Sequence, residues 1–167
     1  SQEEYDNIVK KYIINIDNYK LRLTQVALWQ SHYKLWNNMV DNSIEKLCIF
    51  EGRCNFVNNF KEKYQAVISQ QQYINYDILY LGYSGTYPIK NQELHLINSG
   101  CPRCTHSYIL TLQGAKKLVK KLSSIDYPFD ELMGSLFYKK EIIGYRTSQL
   151  LTYQDFQLKN DKYGIQI

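Results

Sequence analysis

The chain has 167 residues, a formal net charge of +4, 44% apolar residues and 22% charged residues. That length and balance suit one globular unit with a real core, numbered 1–167 as a single domain. No run of eighteen apolar residues occurs, which excludes a transmembrane helix, and the amino end, SQEEYDNIVKKY, lacks the layout of a signal peptide.

The positive charge comes from 16 lysines against 4 arginines, in a chain also rich in Ile, Asn and Tyr. An AT-rich genome imposes such a bias. The densest group, Lys116, Lys117, Lys120 and Lys121, falls on the outer side of an expected helix. It reads as a solvated face rather than a nucleic-acid patch, and no nucleic-acid partner is expected.

Taken in chain order, the first firm element is a helix over 24–41. Trp29, His32/Tyr33, Trp36 and Met39/Val40 recur at the spacing of one face, with Thr24 as candidate N-cap and Asp41-Asn42-Ser43 as the stop. Ser31-His32, between two tryptophans, reads as a buried polar anchor. Lys46–Phe50 is short, apolar and bounded, and reads as a buried strand. Phe56, Phe60, Tyr64 and Val67/Ile68 give a second helical face. Asp77 to Gly82 is the next buried strand. Residues 83–104 are turn-rich, with ELHLI as a short strand inside them, and a connection of that length is often a binding loop. Ser107–Leu112 reads as a strand, Gln113–Leu122 and Phe129–Tyr138 as helices, and Glu141–Tyr145 and Gln149–Tyr153 as short strands. The alternation predicts an α/β fold, a sheet covered by helices.

Four cysteines are present: Cys48, Cys54, Cys101 and Cys104. Cys101-Pro-Arg-Cys104 has CxxC spacing, but zinc needs four ligands and no second pair accompanies it. His106 as a third ligand leaves the set incomplete. A local disulfide or two free thiols fits better, and Cys48 reads as a small buried hydrophobe.

Several polar residues stand where chemistry is done. Glu51 follows the strand 46–50 directly, and strand ends of this kind face ligand crevices in α/β proteins. Gly52 lets a backbone approach a ligand, and Arg53 cannot bind a metal but can pair bidentately with a diphosphate. A plain polar turn explains the same three residues. Asp130 and Glu131 follow a proline-ended loop and can serve as a base or as hydroxyl acceptors. They equally suit a helix amino end, where acids gain about 0.3–1 kcal/mol. Thr105-His106 opens the third strand, where a histidine can touch phosphate or exchange a proton.

Read together, SHYKLW, IEKLCIFEGRCNF, YDILYLG, THSYILTLQGAKKLV and YPFDELMGSLF, in this order and spacing, resemble glycosyltransferase family twenty-five. This is the family of lipooligosaccharide and procollagen galactosyltransferases. The resemblance covers about residues 20 to 155 and is greatest to the collagen-modifying branch. It implies a GT-A-like fold, a mixed sheet flanked by helices, here without part of the amino-terminal nucleotide-binding half. Tyr12–Asp17, YIINID, would be a remnant of its first strand.

The resemblance further implies transfer of galactose or glucose from a UDP-hexose donor, with Mn²⁺, to a collagen-like hydroxylysine or a glycan. Carried over, Glu51 matches the family's metal-motif glutamate, while Gly52 and Arg53 stand where two aspartates belong. Thr105, His106 and Tyr108 match the segment before the Gly114-Ala115 helix start, and Asp77 and Gly82 match the ends of a family strand. Asp130 and Glu131 match the acidic pair and become the candidate catalytic residues. Glu51, Gly52, Arg53, Thr105 and His106 become the donor-binding set, with Glu51 as the remaining metal ligand.

Three expectations follow. In the first, an active transferase uses Arg53 in place of the metal's charge. In the second, a degenerate domain binds a glycan or partner, or serves as a structural module. In the third, the chain is one part of a larger enzyme, and a homo-oligomer covers an open sheet edge. The expected compartment is the cytoplasm, or the endoplasmic reticulum lumen if a leader has been removed.

Overall fold

The computed structural model describes residues 21–85, 94–98 and 102–154, together with Glu3, Asp6, Asn7 and Lys10. The expectations for Tyr12–Asp17 and for Cys101 lie outside the described residues.

Helix α1 spans Leu23–Asp41 and buries Val26, Trp29, His32, Trp36 and Met39 on one face. Its first turn is set by Arg22, not Thr24: the Arg22 amide donates to Gln25 Oε1 at 2.9 Å. The helix therefore starts one residue earlier than its periodicity suggests, and Thr24 lies within its first turn. Strand β1 is Lys46–Phe50, as expected in extent, but of its residues only Ile49 is fully buried. Among the described residues it pairs only with β5 (Arg103–Thr111) and lies at the end of the strand order.

Phe56, expected on the second helical face, lies instead in strand β2, Cys54–Phe56. Phe56 does share an aromatic stripe with Phe60, at 4.6 Å between ring centroids. Its backbone, however, pairs with β7, Thr152–Gln154, in a separate two-stranded sheet. Helix α2 begins at Phe60 and runs to Gln71.

Strand β3, Ile78–Ser84, is buried throughout except at its last residue. It lies between β5, Arg103–Thr111, and β6, Gly144–Thr147. Strand β4, Leu96–Asn98, completes a five-stranded sheet of order β1-β5-β3-β6-β4. Only the β3–β6 pair is parallel, so the sheet is mixed.

Alternate side chains take opposite faces, as the period-two geometry of strands demands. Ile78, Tyr80, Tyr108 and Leu110 join Trp29, Trp36, Leu118 and Met133 in one core. Leu79, Leu81 and Ile109 join Val67 and Leu151 in the other. The first core is roofed by α1, by α3 (Leu112–Lys121) and by α4 (Phe129–Tyr138).

Two close approaches fix these layers. Thr111 caps α3 through a bond from the Gly114 amide at 3.0 Å. A Cβ on Gly114 would lie 2.4 Å from the Asp77 carbonyl oxygen, so only glycine lets α3 start this close to β3. Asp77 itself is buried and paired, with Lys117 Nζ at 2.6 Å and the Ile143 amide at 2.7 Å.

Candidate functional site

The strand directions bring four chain segments to one edge of the sheet. β1, β3 and β6 end there, while β5 begins there, because β5 runs antiparallel to β1 and β3. The edge at the carboxyl ends of such strands is where α/β sheets hold ligands. Glu51 sits at this edge; its amide still donates to the His106 carbonyl at 2.9 Å, extending the ladder by one bond.

β5 is irregular at the same place. It is longer than the segment 107–112 read from its apolar residues, and its register against β3 shifts between Gly82 and Ser84. Cys104 has a φ of 69°, a left-handed backbone unusual for a residue with a side chain. Bulges of this kind re-aim side chains beside sites. Cys104 is a free thiol, 3.0 Å from Ser84 Oγ, and burial pushes its thiol above the ordinary range.

Two adjoining cavities open at this edge. One, of about 180 Å³, is lined by Gln25, Leu28, Glu51, Cys104, Thr105, Pro128, Phe129, Asp130 and Gln154. The other, of about 360 Å³, is lined by Thr24, Ala27, Leu28, Ser31, Glu51, Gly52, Arg53 and Gln154. Glu51, Leu28 and Gln154 belong to both. Five of the seven expected site residues are thus brought together: Glu51, Gly52, Arg53, Thr105 and Asp130.

The other two lie apart. Glu131 turns to the rim, where its carboxylate meets Arg103 Nε at 3.3 Å. His106 is buried behind the cavities, and neither ring nitrogen has a hydrogen-bond partner among the described residues. A Cβ on Gly82 would strike His106 Nε2 at 2.2 Å, so the glycine supplies the room for the ring. Burial lowers the basicity of His106, against the opposing pull of the Glu51 charge.

Glu51 is the best-held group of the site. Thr105 Oγ1 donates to its Oε1 at 2.7 Å, and His32 Nε2 lies 3.3 Å from the same oxygen. Burial by itself would raise the carboxyl's pKa. The bonds from His32 and Thr105, with the charge attraction of His32 and His106, outweigh it and hold the carboxyl below its ordinary value. His32 was expected to be only a packing anchor. Its visible signal in the sequence is a polar ring on the buried stripe of α1, a position that demands partners. Nothing in the sequence indicated which partners.

A divalent cation does not fit the turn. Hard cations take several oxygen ligands. Here Glu51 Oε1 is already engaged, Gly52 has no side chain, and Arg53 brings positive charge. Among the described residues no group of three or more His, Cys, Asp and Glu is placed to hold a metal ion. Packing does not demand the glycine: a Cβ on Gly52 would meet nothing within 4 Å.

A mixed sheet flanked by helices, with its crevice at the strand ends, is consistent with a GT-A-like glycosyltransferase fold. Residues 1–101 match the family model described as glycosyltransferase family 25 (LPS biosynthesis protein), and the chain belongs to that family.

Curated relatives include proteins named as galactosyltransferases and proteins named as inactive. Procollagen galactosyltransferase 1 of Danio rerio is 25% identical over 150 residues, covering 77% of this chain and 25% of the relative. Procollagen galactosyltransferase 2 of Homo sapiens is 24% identical over 136 residues, covering 73% of this chain and 21% of the relative. Inactive glycosyltransferase 25 family member 3 of Homo sapiens is 27% identical over 101 residues, covering 57% of this chain and 17% of the relative. The chain thus spans a quarter or less of the length of these relatives. No helix among the described residues is long and apolar enough to cross a membrane.

Proposed function

We propose that the paired cavities are the donor and acceptor site of a hexosyltransferase. It moves galactose or glucose from a UDP-sugar to a hydroxyl group on a protein, such as a collagen-like hydroxylysine, or on a glycan. One observation carries this reading: Glu51, Thr105 and Asp130 converge on one cavity while Gly52 and Arg53 line the next, with Glu51 common to both.

In the reaction, the acceptor hydroxyl oxygen attacks the anomeric carbon of the hexose. Its proton passes to the Asp130 carboxylate. The bond from the anomeric carbon to the diphosphate oxygen breaks, and its electron pair leaves with UDP. A single displacement of this kind inverts the anomeric centre. Arg53 sits where the diphosphate charge grows, and a guanidinium can pair bidentately with phosphate oxygens. The turn does not offer the ligands that Mn²⁺ needs.

The test is UDP release from UDP-galactose in the presence of a hydroxylysine-containing collagen peptide. Asp130→Asn is expected to lower the rate by about 10²–10⁴, the range for loss of a positioned base, with UDP affinity unchanged. An unchanged rate would remove Asp130 from the role.

A second reading is favoured by the cation in the turn and by relatives named as inactive. The cleft would then bind a sugar nucleotide or glycan without turnover. Binding of UDP-galactose with no transfer to any acceptor would select it.

A further inference from the structure

Glu51 is the exposed end of a buried hydrogen-bonded chain. Trp36 Nε1 donates to the Tyr108 hydroxyl oxygen at 2.9 Å, and that oxygen lies 2.6 Å from His32 Nδ1. An indole nitrogen can only donate, so the tyrosine proton is free to point at Nδ1. With Nδ1 accepting, the ring presents an N–H at Nε2, the atom facing Glu51 at 3.3 Å. Trp36, Tyr108 and His32 are all buried. The imidazole is stacked on Tyr108, at 5.6 Å and 18°, and packed on Phe129 at 5.1 Å. It cannot turn without breaking both contacts.

This chain decides what Glu51 has left to offer. Both protein bonds, from His32 and Thr105, fall on Oε1. Oε2 has no protein donor among the described residues, and the side chain lines both cavities. An ionised oxygen held in place beside the amides of Gln25 and Gln154 and the apolar wall of Leu28 and Phe129 is poorly made for a lone divalent ion. It is well made for a hydroxyl donor, which forms a short charge-assisted bond to a carboxylate.

We propose that Glu51 accepts a hydroxyl of the hexose through Oε2, that His32 is the residue that positions it, and that this grip on the sugar needs no divalent cation. The inference rests on the donor-site reading above and adds the group that selects the sugar.

The test compares UDP with UDP-galactose by calorimetric titration, in EDTA and with Mn²⁺. The probes isolate the increment due to the hexose. UDP-galactose is expected to bind the unmodified protein about tenfold tighter than UDP, the worth of one bond to a charged group. Mn²⁺ is expected to leave that ratio unchanged. Glu51→Gln and His32→Leu are expected to abolish the increment, so that each variant binds UDP-galactose no more tightly than UDP. His32→Gln, whose amide restores a donor toward Glu51, is expected to keep the ratio within about threefold of the unmodified protein. A purely structural His32 would not be rescued selectively in this way.

Near-ultraviolet circular dichroism checks that each variant is folded. If His32→Leu fails to fold, Glu51→Gln and His32→Gln carry the comparison. UDP binding without a sugar increment, an increment that survives Glu51→Gln, or one that requires Mn²⁺ would each overturn the proposal alone. Failure of UDP to bind the unmodified protein would overturn the donor-site reading and this proposal with it.

Discussion

The two ends of the sheet treat a carboxylate differently. At the amino end of β3, Asp77 is closed: Lys117 Nζ and the Ile143 amide both bond its Oδ2, and the residue is buried. At the carboxyl end of β1, Glu51 is held by an imidazole and a hydroxyl, without a lysine or arginine in ion-pair contact among the described residues. The first carboxylate lines neither of the two cavities, while the second lines both. Asp77 joins α3 to the sheet and to β6; Glu51 is kept ionised and in place with an oxygen to spare. Both were legible in the sequence as acids beside strands, and only their partners separate a structural group from a ligand-facing one.

The comparison can be broken most forcefully at Asp77. Asp77→Ala strands the Ile143 amide and a part-buried ammonium, and should cost about 2–4 kcal/mol in urea unfolding. It should leave the affinity for UDP-galactose within about twofold, because the cavities lie at the other end of the sheet. A loss of affinity in a folded Asp77→Ala protein would show that the two ends are coupled.

A smaller effect is expected from acid, and it separates two groups on the Glu51 side. His106 has a lowered pKa in the folded state. Its contribution to stability is therefore full above its unfolded pKa of about 6.5, and is lost as pH falls through that value toward the folded one. The Glu51 carboxyl is also lowered. Its contribution is present above the unfolded pKa of about 4.3, and is lost as pH falls further, through the folded value. Each slope is at most about 1.4 kcal/mol per pH unit. His106→Phe should flatten the upper limb of a stability–pH curve and Glu51→Gln the lower. If neither limb moves, these groups are not what acid titrates.

Smallest of all is the expected stability change for Gly52→Asp with Arg53→Asp, within about 0.5 kcal/mol, since a side chain at 52 meets open space. The same pair of changes adds two carboxylates beside Glu51. Mn²⁺ binding, read from the electron paramagnetic resonance signal of the free ion, should appear in the variant and be absent from the unmodified protein. Mn²⁺ binding by the unmodified protein would refute the account given of the turn.

Much of the fold was legible because local pattern and final environment agree. β1 and α4 have the expected limits, and α1 differs by one residue at its start. Misreadings arise where distant segments decide. Phe56 has a helical neighbour at Phe60, yet its backbone is claimed by Thr152, nearly a hundred positions along the chain. β5 extends back to Arg103 through a left-handed Cys104, which no propensity anticipates. β1 reads as a buried strand, yet among the described residues it has one strand neighbour, since an apolar run shows that a surface is covered and not how many neighbours cover it. In the site, Glu51, Arg53 and Asp130 could be named from position and resemblance. The network from Trp36 to Glu51 could not, because it is written in contacts between α1 and β5, 72 positions apart at Trp36 and Tyr108.

The two-stranded sheet has a consequence for timing. The turn 51–53 is gripped on one side by β1 in the large sheet and on the other by β2, whose strand partner among the described residues is β7. Gln154, at the end of β7, also lines both cavities. A ribosome releasing this chain from its amino end makes α1, β1 and the turn well before the closing strand. Loop closure over such a separation is slow compared with local helix formation. The cleft is therefore unfinished until β7 has been made, and a nascent chain halted before residue 152 should carry a formed α1 but no ordered Glu51 turn.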